Sequence, residues 1–278
     1  MGEGEKMKKI LFTDLDGTLL NGNKLVSEGN RDAIHRLLDA GHYLVIATGR
    51  PVKSGFKVAQ KLGLTMPGCY MIAYNGAAIF DCAKEELCMI KSFPLEYARY
   101  IFEEGEKYGL YVQTSGEDDA IFAPYECEEL DFYAKGNRNA LDVKVCENVC
   151  DELGKDPNKV ILINWKEERL LEFQRDHKEW ERGKCQSVFS SKEFLEYLPL
   201  GVDKGSGVRA LCELLQVPIE NAYAAGDERN DISMIRSAGV GIAVSNALEE
   251  VKQAADYITE NDNEHNAIAE VIYKLILK

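Results

Sequence analysis

The sequence predicts an α/β fold: a Rossmann-like, doubly wound and mostly parallel sheet core, interrupted by an inserted α+β unit. Three observations carry this. Short apolar runs alternate with helical patterns through residue 83 and again from about 202. The stretch between them has hairpin-like strand pairs mixed with helices. Charge is also uneven, since residues 84–198 hold 26 acids and 16 bases, a net of −10, while the rest carry −4 of the total −14. The expected division is core 1–83, inserted unit 84–198 and core 199–278, with Pro94 and Pro199 near the junctions. A chain of 278 residues suits two domains.

Each element has a local reason. Residues 9–13 read as a buried strand from Ile10-Leu11-Phe12. Residues 28–40 place Ile34, Leu37 and Leu38 at helical spacing, with Ser27 as N-cap and Gly41 as stop. Strand 43–47, helix 52–62 closed by Gly63, and strand 69–73 follow. Tyr74-Asn75-Gly76-Ala77 reads as a tight turn into a returning strand at 78–81. The middle reads as helix 95–108, strands 110–114 and 120–123, helix 126–135, strand 160–165, a long charged helix 167–182, and strands 187–190 and 194–198. The alternation then resumes with helix 205–215, whose Val208, Leu211, Cys212 and Leu215 share a face. Strand 221–225, helix 231–237, strand 240–244, helix 247–254, strand 256–259 and a closing helix at 265–277 complete it.

Composition excludes several classes. The hydrophobic fraction of 45% supports a full core, and no apolar run approaches the roughly 20 residues of a membrane span. MGEGEK is a polar opening without a signal-peptide core, so Met7 is the expected working start and 1–6 a leader. Lys6 stands where a myristoylation signal wants Ser or Thr. The net charge argues against nucleic acid and anionic membrane as partners. Eight cysteines (69, 82, 88, 127, 146, 150, 185 and 212) form no Cys-x-x-Cys, and read as reduced core thiols of a cytoplasmic protein. Cys146 and Cys150 have the spacing of one helical turn. The four histidines (35, 42, 177, 265) fall near no other candidate group, which disfavours Ser-His or Cys-His catalysis.

The polar residues are informative by position. In open α/β sheets, ligands bind beyond the carboxyl ends of the strands. Asp14 and Asp16 follow the first strand there, and two carboxylates so close repel unless a cation or reacting group uses them. Thr48-Gly49-Arg50 follows the second strand, and Gly226-Asp227-Glu228-Arg229-Asn230-Asp231 follows strand 221–225. Lys204 opens the helix that leads back into the sheet, facing the positive end of its dipole. Each also has a bland reading: an Asp-Gly turn, a cap, a solvated lysine, a polar loop. Their coincidence favours one composite site. Asp14, Asp16 and Asp227, without a nearby thiol or imidazole, select a hard cation such as Mg²⁺. Thr48, Lys204 and Asn230 are donors suited to a phosphoryl group. The set points to phosphoryl transfer through an acyl phosphate. An EF-hand reading fails, because the glycine comes early and position twelve of the loop would be Leu25. Neither a Walker nor a GxGxxG sequence occurs.

DLDGT at 14–18, Thr48 in ATGRP, Lys204 in GVDKGSG and GDERNDISMI from 226 resemble the four motifs of the haloacid dehalogenase superfamily. Their order and spacing look like its Cof-type sugar-phosphatase branch, with a large α/β cap between the second and third motifs. AYNGAAI and NALEEVKQAADYIT extend the likeness across nearly the whole chain. The resemblance implies Asp14 as the nucleophile and Asp16 as acid and then base. It implies Mg²⁺ held by the Asp14 carboxylate, the Asp16 backbone carbonyl and Asp227. Thr48, Lys204 and Asn230 would bind phosphoryl oxygens, Arg50 would reach substrate, and Asp231 would orient Lys204 or a metal-bound water. Val244-Ser245-Asn246 and Glu264-His265-Asn266 depart from the usual pattern and bear on loop shape and specificity. The expected activity is a Mg²⁺-dependent phosphatase of small phosphomonoesters, sugar phosphates first, with flavin or pyridoxal phosphate also open. A phosphotransferase or mutase of the same superfamily, or a non-catalytic phosphoester-binding protein, are the alternatives. Neither the substrate nor the oligomeric state is set by the sequence.

Overall fold

The computed structural model describes residues 7–116, 119–137 and 141–278. Its first sheet grows outward from β1 (Ile10–Thr13), every residue of which is buried. Through the first part of the chain follow α1 (Glu28–Asp39), β2 (Tyr43–Ala47), α2 (Val52–Leu62), β3 (Cys69–Ala73), β4 (Ala78–Asp81) and β5 (Glu86–Ile90). The second sheet and its helices come next: α3 (Leu95–Lys107), β6 (Tyr111–Ser115), β7 (Ile121–Ala123), α4 (Glu128–Asn137), β8 (Val143–Val145), α5 (Val149–Leu153), β9 (Lys159–Ile163), α6 (Glu167–Asp176), α7 (Lys178–Glu181), β10 (Cys185–Ser191) and β11 (Phe194–Pro199). The chain returns through α8 (Lys204–Leu214), β12 (Ala222–Gly226), α9 (Ile232–Ser237), β13 (Val240–Ala243), α10 (Glu249–Lys252), β14 (Tyr257–Ile258) and α11 (Ala267–Val271).

The first sheet has 8 strands in the order β14-β13-β12-β1-β2-β3-β4-β5. It is parallel from β14 to β3, and β4 and β5 add an antiparallel edge. Alternate residues of each strand enter opposite layers. Leu11, Leu44 and Ile46 pack with Ile34, Leu37 and Val271 of α1 and α11. Ile10, Phe12, Val45 and Ala47 pack with Val208, Leu211 and Met234 of α8 and α9. Both faces are thus covered, as a parallel sheet requires. Among the described residues the second sheet has 6 strands, ordered β10-β11-β9-β6-β7-β8, and only β7 and β8 run parallel.

Several elements differ from the sequence reading. β5 falls in the range expected for the inserted unit, yet it pairs with β4, so the first sheet extends past residue 83. β5 is largely exposed and β8 wholly so, and β8 is only 3 residues long, so neither offers a buried run to read. The helix expected over 167–182 is two helices. His177 leaves helical geometry at φ −99 and ψ 4, its ring stacked on Phe173 with centroids 4.1 Å apart. The closing helix starts only at Ala267, because Asn266 is left-handed at φ 68, and it ends in a π turn over Ile272–Ile276. Cys146 lies ahead of α5 while Cys150 lies within it, so the two do not share a helical turn. All eight cysteines are free thiols. Burial raises Cys69, Cys82, Cys150, Cys185 and Cys212 to about 11 or about 12, far from reactive thiolates. Among the described residues, no helix is long and apolar enough to cross a membrane.

Candidate active site

The site lies at the carboxyl ends of β1, β2 and β12, where the first turn of α8 meets them. Asp14 is the residue after β1, and its backbone N–H continues the ladder to the Ala225 carbonyl at 3.0 Å. The chain then turns back on itself, with Leu19 N–H donating to the Asp14 carbonyl and Leu20 N–H to that of Leu15. Gly17 makes this turn possible at φ +91, and a Cβ there would run into the Asp227 carboxylate. Thr18 Oγ1 donates to Asp227 Oδ1 at 2.5 Å, which ties the turn to the loop after β12.

Lys204 is placed by a capping box. Asp203 accepts from Ser206 N–H at 2.6 Å, and Asp203 N–H donates to Ser206 Oγ at 3.1 Å. The Lys204 ammonium, 1% exposed, then lies 2.6 Å from Asp14 Oδ1 and 2.6 Å from Asp231 Oδ1. Asp231 Oδ2 accepts from the backbone N–H groups of Asp227 and Glu228, each at 3.0 Å. Both Asp231 oxygens are therefore engaged within the protein. Asp231 thus bonds Lys204, one of the two groups the resemblance implies it would orient, the other being a metal-bound water.

Thr48 is buried after β2, with its N–H on the Ile72 carbonyl and its Oγ1 accepting from Arg50 N–H at 3.2 Å. Arg50 bonds Asp16 Oδ2 through Nε at 3.1 Å and Nη2 at 2.8 Å, and Lys24 bonds Asp16 Oδ1 at 2.7 Å. The Asp16 side chain thus faces two cations and stands apart from the acidic cluster; only its backbone carbonyl is left for the metal role the resemblance implies. Asn230 lies on a short turn, Arg229–Asp231, and its Nδ2 donates to Asn75 Oδ1 at 3.0 Å.

Asp14, Asp227 and Asp231 offer oxygens that all lie within 4.8 Å of one another. Burial drives the Asp14 carboxyl up; Lys204 pulls it back only in part, and Asp231 and Asp16 push it further up. Asp227 is raised by burial and then by Asp14 and Asp231. Burial would lower Lys204, yet the two carboxylates beside it hold its ammonium well above the ordinary value. Burial would also raise Asp16, but Arg50 and Lys24 hold it below the usual range. Three buried carboxylates thus share one ammonium. The surplus negative charge, borne entirely by oxygen donors, fits a hard divalent cation such as Mg²⁺.

A cleft of about 580 Å³ runs over Asp14, Asp16, Thr48, Arg50 and Asn230. Its far wall comes from the second sheet and α4, including Phe132, Tyr133, Lys159, Phe194 and Glu196. All eight residues singled out from the sequence therefore meet in one region. The sequence reading missed Lys24, Asn75, Lys159 and Glu196. Glu196 carries one usable signal, a charged residue inside an otherwise apolar strand; Lys159, the first residue of β9 and outside the strand expected at 160–165, carries none, and neither does Lys24.

The chain matches the family model for haloacid dehalogenase-like hydrolases over residues 11–272. It is 32% identical to the putative phosphatase YxeH of Bacillus subtilis (strain 168), across 98% of this chain and 99% of that protein. It is 30% identical to the 5-amino-6-(5-phospho-D-ribitylamino)uracil phosphatase YitU of the same organism, across 94% of each. A crystal structure of a haloacid dehalogenase-like hydrolase from Bacteroides thetaiotaomicron superposes with a TM-score of 0.84 at 29% identity, covering 97% of this chain and 100% of that one.

Proposed function

From the premise that this chain belongs to the haloacid dehalogenase-like hydrolases and is a phosphatase, we propose that it hydrolyses small phosphomonoesters, sugar phosphates foremost, with Mg²⁺ and through an aspartyl-phosphate on Asp14. One observation carries this reading: the buried Lys204 ammonium lies 2.6 Å from Asp14 Oδ1 inside an acidic cluster at the strand tips. Lys204 holds one Asp14 oxygen and leaves Oδ2 for attack on phosphorus. A bond forms from that oxygen to phosphorus as the bond to the substrate alcohol breaks. Asp16 gives its proton to the departing oxygen. It then takes a proton from the water that attacks phosphorus, releasing inorganic phosphate and restoring Asp14.

Thr48, Lys204 and Asn230 would donate to the phosphoryl oxygens. Arg50 and Lys24, the cations now on Asp16, would meet the substrate as well. Paired with them, Asp16 is ionised, the form that accepts a proton from water. A substrate phosphate competes for the same two cations; released from them, Asp16 would take up a proton from solvent or from the monoanion of the phosphate ester, and that is the proton it gives to the departing oxygen in the first step. Mg²⁺, held by the Asp14 and Asp227 carboxylates and the Asp16 carbonyl, would supply charge against the phosphoryl oxygens. The cap side of the cleft supports a substrate with more than a bare phosphate. Phe132 and Phe194 have ring centroids 5.6 Å apart, and Trp165 lies edge-on to Phe132 at 4.8 Å. A phosphorylated sugar, or a sugar alcohol carrying a ring such as the substrate named for YitU, fits that chemistry.

The test is a phosphomonoester panel with Mg²⁺, scored by kcat/KM for the natural chain and for Asp14→Asn. Steady release of inorganic phosphate is expected without any acceptor, and Asp14→Asn should abolish it while leaving the folded spectrum intact. A fully active Asp14→Asn would end the aspartyl-phosphate reading. Dependence on an acceptor alcohol or a bisphosphate activator would instead favour phosphotransfer.

A further inference from the structure

We propose that Glu196 and Lys159, on the second sheet, are positioning residues for the phosphate site: they set the orientation of Asn75 and of the Thr48–Arg50 loop, and through Asn75 the amide of Asn230. The proposal rests on the assignment of Thr48 and Asn230 to phosphate made above.

The two side chains are 1% and 3% exposed and lie on neighbouring antiparallel strands, Lys159 on β9 and Glu196 on β11. Lys159 Nζ donates to Glu196 Oε2 at 2.8 Å and to the Gly49 carbonyl at 2.8 Å. Gly49 stands between Thr48 and Arg50. Glu196 Oε2 also accepts from Asn75 Nδ2 at 2.8 Å, and its Oε1 from Ser190 Oγ at 2.6 Å. Asn75 Oδ1 in turn accepts from Asn230 Nδ2 at 3.0 Å. The backbone closes the same circuit, for Asn75 N–H donates to the Thr48 carbonyl at 3.1 Å and Tyr74 N–H to the Arg50 carbonyl at 3.0 Å. Asn75 itself is left-handed at φ 52 and ψ 34, a conformation that persists in a residue with a side chain when its surroundings over-determine it.

A buried ion pair by itself is a weak stabiliser, since a packed apolar pair of similar volume does as well or better. What an apolar pair lacks is direction. Here the pair's polar atoms engage Gly49 and Asn75, both of which touch the loop carrying Thr48. The Asn230 amide nitrogen has two hydrogens. Asn75 takes one and thereby aims the other. Glu196 decides which way round the Asn75 amide stands, because a carboxylate accepts and cannot donate. A glutamine there presents either an acceptor or a donor, and the orientation of Asn75 is no longer dictated.

The test is a double-mutant cycle on the full chain with Glu196→Gln, Asn75→Gly and the pair combined. Glycine is used at Asn75 because it keeps the left-handed backbone without strain. Turnover of p-nitrophenyl phosphate and the affinity for inorganic phosphate, by calorimetry with Mg²⁺ present, are both measured. Each single change should lower kcat/KM and phosphate affinity about tenfold, and the double variant should be no worse than the worse single. Additive losses overturn the proposal. So does a loss seen with a sugar phosphate assayed in parallel but absent with p-nitrophenyl phosphate, which would put Glu196 in contact with substrate. If Glu196→Gln does not fold, Lys159→Met with Glu196→Met, free of buried charge, should show the same loss, and natural activity there overturns the proposal. Asn230→Ala is run alongside. Undiminished phosphate affinity in it would sink the functional assignment and this inference together, whereas additivity with Asn230 essential sinks this inference alone.

Discussion

The Lys204 ammonium stands 2.6 Å from the Asp14 carboxylate although 190 positions of chain separate the two. The first turn of α8, fixed by the Asp203–Ser206 capping box, delivers it to the tip of β1. Methionine at Lys204 keeps the packing of the stem and removes the charge. Asp14, Asp227 and Asp231 are then left without their cation. Removing one partner of a buried pair costs about 3–5 kcal/mol. Lys204→Met should therefore unfold at markedly lower urea and release phosphate only at background. Urea denaturation beside a phosphate assay checks both, and a variant as stable as the natural chain would mean that Mg²⁺ already balances the cluster.

Gly17 and Gly63 are both left-handed, at φ +91 and φ +72, but only Gly17 faces the site. A Cβ on Gly17 meets the Asp227 carboxylate, whereas one on Gly63 meets nothing within 4 Å. Gly63→Ala should thus show the backbone penalty alone, about 1 kcal/mol, with kcat/KM unchanged. Gly17→Ala should add displacement of Asp227, raising the Mg²⁺ concentration for half-maximal activity at least about tenfold. Equal Mg²⁺ requirements in the two variants would argue that Asp227 holds no metal.

Glu270 is 7% exposed and offers a pH prediction away from the site. Burial alone would raise its carboxyl, but hydrogen bonds from Tyr257, from the Glu260 and Asn261 backbones and from Lys274 hold it down at about 2, against an ordinary 4.5. The folded chain therefore binds this proton more weakly than the unfolded chain does. Its contribution, at most about 3 kcal/mol, is complete above pH 4.5 and is lost as pH falls towards 2. The stability gap between the natural chain and Glu270→Gln should be large in urea at pH 7 and much smaller near pH 3. An unchanged gap would mean that the carboxylate is not what the network holds.

Much of this was readable in advance because strand tips collect polar residues for a reason. Asp14, Thr48 and Asp227 each follow a buried strand, and a parallel sheet gathers such ends on one rim. Lys204 was readable from its place at a helix start. The residues that join the second sheet to the first were not. Asn75 reads as a turn residue, and it is one, yet both ends of its amide are also engaged, Nδ2 by Glu196 and Oδ1 by Asn230. Glu196 lies inside an apolar strand and Lys159 opens one, and nothing local says that they also bond Asn75 and Gly49 beside the other sheet. β5 and β8 escape because exposed edge strands bury no apolar run, and Val143–Val145 is too short to establish a period. The break at His177 escaped because a buried ring stack on Phe173, and no proline or glycine, marks it.

Metal removal is the sharpest check on the acidic cluster. Asp14 and Asp227 repel each other and Asp231 in a buried site, and one ammonium does not balance them. A divalent cation that binds only the folded chain must stabilise it by mass action, by about 2.7 kcal/mol at a hundredfold excess over its Kd. Chelation should therefore abolish phosphate release and lower Tm, and Mg²⁺ should restore both. Asp227→Asn separates the causes. It keeps the acceptor for Thr18 Oγ1, removes one repelling charge and removes one of the metal's carboxylates. In chelator this variant should melt at or above the natural chain, and Mg²⁺ should no longer raise its Tm or support turnover. Because the loss of repulsion and the loss of metal move Tm in opposite directions, a Mg²⁺-dependent rise that survives in Asp227→Asn would place the cation elsewhere.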